Sequence, residues 1–130
     1  MNRLRTPIAE LLEDDTTLAG LVGSRIYHQE APQDATYPLV IFHKQSGAPR
    51  WTFQGPPVQD DLWTIKAVDP SSATVEPIAD AIDDAVSDAA LDFGGDTLEF
   101  QRQSDVNYGE AATGKTYRHL GAIYRVITSE

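Results

Sequence analysis

The sequence predicts an α+β fold: an antiparallel β-sheet packed against one long amphipathic helix, with two short N-terminal helices. Strand-like stretches stand at 37–44, 62–68, 97–103 and 116–128, and one segment, from about Val75 to Leu91, spaces its apolar residues mostly by threes and fours. The order is helix, helix, strands, helix, strands, without the regular alternation that marks a parallel sheet. At 130 residues the chain reads as a single domain, 1–130, with room for one ordinary hydrophobic core.

Each element has a local reason. Thr6-Pro7 supplies a capping hydroxyl and a proline at the first helical position, and Ile8, Leu11 and Leu12 follow on one face. A second short helix is expected over Asp15–Val22, with Leu18, Leu21 and Val22 apolar and Gly23 placed for a C-terminal cap. Both are too short to be stable alone and must dock on something larger. YPLVIFHK (37–44) is apolar and β-branched, with Pro38 at its entry. In LWTIKAV (62–68), Trp63, Ile65 and Ala67 share one face, and Leu62, Thr64, Lys66 and Val68 the other. TLEFQRQ (97–103) should turn Leu98 and Phe100 inward, and Leu120, Ala122, Tyr124 and Val126 share one side of 116–128. Thr74 is the expected cap of the main helix and leaves Pro77 in its first turn. Its apolar face is Val75, Ile78, Ala79, Ile82, Val86 and Ala89; Asp80, Asp83, Asp84 and Asp88 take the other side.

Composition excludes several functions. Ten Lys and Arg against twenty Asp and Glu give a net charge of −10, which disfavours general nucleic-acid binding because that needs cations to neutralise phosphates. There are no cysteines, so disulfides and thiolate metal sites are out. No apolar run of about 18 residues is present, so no membrane span or membrane partner is expected. The N-terminus MNRLRTPIAELLEDD lacks the uninterrupted apolar core of a secretory signal.

Residues 109–116, GEAATGKT, satisfy the phosphate-loop pattern G-x-x-x-x-G-K-[ST] through Gly109, Gly114, Lys115 and Thr116. That motif works only between a strand and a helix, whose N-terminus holds the phosphates. Here YRHLGAIYRVIT follows, with strand alternation, so the stretch reads as a hairpin tip joining strands 97–108 and 116–128. His28, His43 and His119 lack zinc-motif spacing, and the aspartate stripe lacks the glycine and terminal glutamate of a calcium loop. No nucleophile elbow is present. No catalytic, cofactor or metal residues are assigned.

The segments LLEDDTTLAGLVGSRIYHQEAPQDATYPLVIF, LWTIKAVD, IADAIDDAVSDAAL and YRHLGAIYRVIT, in that order, resemble the tail completion (tail terminator) proteins of long-tailed phages, prophages and gene transfer particles. The most telling stretch runs from the helix ending at Val22-Gly23, through Arg25-Ile26-Tyr27, to the strand led by Pro38. The resemblance covers nearly the whole chain and rests on helix–glycine and strand patterns, without a catalytic set. It implies a virion protein that is not an enzyme and forms a ring, commonly a hexamer, on the last disc of tail-tube protein. Such a ring ends tube growth and presents a surface to the head–tail connector, with DNA only passing through its lumen. The location implied is the tail–neck junction, reached after assembly in the host cytoplasm. Another small neck or minor tail protein, or a small cytosolic ligand-binding domain or enzyme, remains the alternative.

Two segments are not explained by the core. QSGAPRWTFQGPP (45–57) reads as a long Gly- and Pro-rich loop carrying Arg50, Trp51 and Phe53, and 107–115 carries Asn107, Tyr108 and Lys115. These six are the candidate contacts with neighbouring subunits or the tube, since aromatic residues and arginine dominate interface hot spots.

Overall fold

The computed structural model describes residues 3–51, 53, 55, 57–87, 89–112 and 114–129. Three helices, α1 (Arg5–Glu13), α2 (Thr16–Val22) and α3 (Ser72–Val86), accompany five strands: β1 (Ile26–His28), β2 (Leu39–Arg50), β3 (Val58–Asp69), β4 (Thr97–Ala112) and β5 (Lys115–Thr128). The strands form one sheet in the order β1-β2-β3-β5-β4.

The expected antiparallel sheet under one long amphipathic helix is corrected on two counts. The sheet is mixed, because β1 lies parallel to β2, with Ile26 opposite Val40 and His28 opposite Phe42. No long helix is present among the described residues either. All three helices are short, strand predominates, and α3 stops after 15 residues at Val86 instead of running to Leu91. Ser87 ends it: its backbone turns to an extended conformation, and its hydroxyl donates to the Asp83 carbonyl at 2.7 Å. Leu91 is still buried, but as a loop residue.

Capping differs in detail from the expectation. In α1 the cap position is Leu4, with no side-chain hydrogen bond, so Thr6 lies inside the helix. In α2, Asp15 Oδ1 accepts a hydrogen bond from the Leu18 N–H at 2.8 Å, and Gly23 follows with φ of 62°. That satisfies one orphan donor and uses glycine's freedom at positive φ. α3 is preceded by Ser71 and already includes Thr74.

One face of the sheet carries the core. Val40, Phe42, Trp63, Ile65, Ala67, Ala122, Tyr124 and Val126 form a single buried cluster with Leu4, Ile8 and Leu12, with Leu18 and Val22, and with Val75, Ile78, Ile82 and Val86. Period-2 alternation sends Ile41, Lys66, His119 and Ile123 to the opposite face, away from the helix-side cluster. β3 and β5 run close together: a Cβ on Gly121 would stand 2.1 Å from the Ile65 carbonyl oxygen.

The strands overrun their expected ends. β2 continues through 45–50, past a register shift between Lys44 and Ser46, and pairs Arg50 with Val58. The supposed loop therefore shrinks to the residues after Arg50. Proline is tolerated at position 49 because that half of β2 is an edge, beyond the reach of three-residue β1. β4 likewise extends to Ala112, and a register shift between Thr97 and Glu99 leaves Leu98 exposed rather than inward.

Candidate functional site

The antiparallel pairs β2–β3 and β4–β5 project beyond the sheet at opposite ends. β3 and β5 pair from Gln59↔Thr128 to Asp69↔Arg118. Past the first limit the β2–β3 hairpin continues to Arg50↔Val58; past the second, β4–β5 continues to Ala112↔Lys115. The six candidate contact residues are divided between these two hairpins and do not form one patch.

The β2–β3 hairpin has a charged base and an apolar tip. Asp60 accepts two hydrogen bonds from Arg125, Nε to Oδ1 at 2.9 Å and Nη2 to Oδ2 at 2.6 Å. Arg50 Nη2 donates to the same Oδ2 at 2.6 Å. The Arg125 hydrogen bonds hold the Asp60 carboxyl below the usual carboxylate range; burial opposes them, and Arg50 adds to the depression. Arg50 is thus engaged within its own chain. Lys44 sits 3.5 Å from buried Asp61, which also accepts from Gln59. Beyond this base Trp51 is 77% exposed and Phe53 fully so.

The β4–β5 hairpin is built differently. Adjacent strand positions put Asn107 and Tyr108 on opposite faces. Asn107 accepts from Arg118 at 3.1 Å. On the helix-free face, the Tyr108 ring stacks on His119 at 4.4 Å and 9°, and its hydroxyl accepts from Lys66 at 2.7 Å. His119 Nε2 lies 3.2 Å from Glu110 Oε1, while its Nδ1 is buried without a partner. Burial lowers the His119 pKa from its ordinary value, with Lys66 adding to the effect and Glu110 opposing it. Lys115 begins β5 in an exposed position beside the turn at Gly114.

GEAATGKT is accordingly part of a hairpin. Gly109–Ala112 belong to β4, Lys115-Thr116 to β5, and no helix N-terminus follows; Thr113 lies outside the described residues. Among the described residues, no group of three or more His, Cys, Asp or Glu side chains is arranged to hold a metal. In the aspartate stripe, Asp83 accepts from the Tyr124 hydroxyl at 3.0 Å and is half-buried, whereas Asp84 is exposed. Asp88 lies outside the described residues.

An assembly element on this scaffold would consist of two unlike projections on one sheet. The sequence matches the family of tail completion protein gp17 over residues 6–126. The chain belongs to that family. A tail completion protein has a structural role in a virion tail and is not an enzyme. The fold also resembles a chain in a structure of the virion of a native gene transfer agent particle, with a TM-score of 0.79 and 21% identity, over 98% of this chain and 95% of that one. Among curated proteins, no sequence matches.

The Asp60–Arg125–Arg50 group and the Tyr108–His119–Glu110–Lys66 cluster carry no sequence signal. Asp60 and Arg125 are 65 residues apart, and only strand register brings them together.

Proposed function

We propose that this tail completion protein caps the tail tube as a ring of identical copies, six in number, ending tube growth and offering its other surface to the head–tail connector. Membership of the family over residues 6–126 carries this reading. A chain of similar fold occurs in a structure of the virion of a native gene transfer agent particle, which supports this reading. A closed ring requires a head-to-tail contact between two different patches, and two dissimilar hairpins at opposite ends of one sheet meet that requirement. The exposed Trp51 and Phe53, with Arg50 at their base, and Asn107, Tyr108 and Lys115 on the second hairpin, are the proposed contacts with neighbours or tube.

Charge suits a conduit. At −10 per copy, a lumen lined by acidic side chains would repel DNA phosphates and let DNA pass without sticking. The ring belongs at the tail–neck junction and assembles in the host cytoplasm. No helix among the described residues is long and apolar enough to cross a membrane. Electron microscopy of the purified protein mixed with growing tail tubes tests the proposal. A ring at one tube end, with elongation stopped, is the expected image; tubes of unregulated length with bare ends would overturn it.

A further inference from the structure

The helix-free face carries a groove that capping by itself does not explain. Buried Leu39 and Val68 form its floor, half-buried Ile41 and the rings of Tyr37 and Tyr117 line it, Glu110 and Lys66 add polar edges, and its volume is about 340 Å³. The rings of Tyr37 and Tyr117 stand 4.7 Å apart at 32°. Such a volume lies at the small end of ligand-sized clefts, enough for an aromatic side chain and a little backbone.

The chain's own most exposed large apolar side chains, Trp51 and Phe53, lie at the far end of the strand that helps form this groove. β2 runs from Leu39, in the groove, to Arg50, directly before Trp51, a path of 12 residues. At the usual rise this separates groove and tip by roughly 35 Å, so the tip cannot reach its own groove. The tip of another copy can.

We propose that the Trp51–Phe53 tip of one copy docks in the Tyr37–Tyr117 groove of the next. The inference rests on the reading that copies associate, and it names the two surfaces that meet. Copies carrying −10 each must avoid setting acid against acid. From Ala35 to Gln59 there is no Asp or Glu, so the tip brings no negative charge to a groove that contains Glu30 and Glu110. The indole N–H of Trp51 is a donor, and the glutamate and tyrosine oxygens of the groove are acceptors. Buried aromatic anchors in pockets are the usual source of interface affinity. Tip and groove are unlike patches at opposite ends of one strand, the arrangement a head-to-tail contact needs.

The absence of native cysteines makes the test direct. Phe53→Cys protein is mixed with Gln33→Cys protein, in which the new thiol stands on the exposed rim of the groove, and the mixture is oxidised. A mixed disulfide dimer is expected, with the chain carrying both substitutions giving a ladder of covalent oligomers. Trp51→Ala with Phe53→Ala should weaken association by on the order of tenfold or more. Rings that still form on tubes, with no mixed disulfide and unchanged association, would overturn the docking but leave the ring reading standing. No association of copies, alone or on tubes, would overturn both.

Discussion

Arg125 grips Asp60 with two hydrogen bonds, of 2.9 and 2.6 Å, across the β3–β5 ladder at the base of the β2–β3 hairpin. Bidentate arginine–carboxylate geometry fixes direction as well as distance. Because Arg50 shares the same carboxylate, the tip-bearing end of the hairpin is tied to β5. Asp60→Asn should therefore loosen the hairpin more than the sheet centre. Amide hydrogen exchange should quicken at 48–60 while Ile65 and Ala122 stay protected; uniform protection would show that the pair does not hold the hairpin.

Ile82 is fully buried in the helix–sheet core, and Ile82→Ala should cost about 2–5 kcal/mol of stability. Asp84 is exposed, so Asp84→Ala should stay within about 0.5 kcal/mol of wild type. Asp83→Ala should fall between them, because it removes the acceptor of the buried Tyr124 hydroxyl. Denaturant unfolding of the three variants checks this ranking; equal losses at 82 and 84 would contradict the assigned helix face.

These contrasts mark what was legible in the sequence. Apolar spacing identifies Ile78, Ile82 and Val86 as core, and they are buried. The same spacing carries the helix too far, because Ala89 and Leu91 continue the apolar pattern while Ser87 closes the last turn. β1 is hidden because three residues cannot display a period. Residues 45–50 read as loop because glycine and proline disfavour strands, yet backbone pairing with β3 requires only that their donors and acceptors face the right way. Among the candidate contacts, Trp51 and Phe53 stand out as large aromatics among small residues. The engagement of Arg50 with Asp60 depends on long-range register and was not legible.

The phosphate-loop match at 109–116 makes a sharp prediction. Lys115 is the first residue of a strand, so no helix N-terminus follows it. Calorimetry with ATP or GTP and magnesium should register no binding heat, and Lys115→Ala should change nothing. Micromolar binding lost in Lys115→Ala would refute the hairpin reading.

Acidification should weaken the fold before it reaches the carboxylates. His28, His43 and His119 all have pKa values lowered from 6.5, chiefly by burial. The unfolded chain thus binds protons more readily than the folded one in this range. The stability involved is fully present above pH 6.5 and declines as pH falls through the lower folded values. The Asp60 contribution is still intact there, since it is lost only as pH falls below 3.8 towards its lowered folded value. The urea midpoint should be lower at about pH 5.5 than at about pH 7.5. A midpoint that rises on acidification would mean that the histidines are better accommodated charged.

Arg50 and Trp51 are neighbours in sequence but should act by different routes. Trp51 is 77% exposed, so Trp51→Ala removes little from the folded monomer, within about 0.5 kcal/mol. Arg50→Ala removes one of the two guanidinium partners of Asp60 and acts first on the hairpin base. If the tip contacts neighbours or tube, the two routes converge on one defect, tails that grow past their normal length. Tail lengths measured by electron microscopy should lengthen and broaden with Trp51→Ala, and more so when Arg50→Ala is added. The melting temperature of Trp51→Ala should meanwhile match wild type, which separates lost contact from lost fold. Capped tails of normal length from the double variant, with normal subunit association, would remove this hairpin from the interface and leave the β4–β5 hairpin as the projection to test.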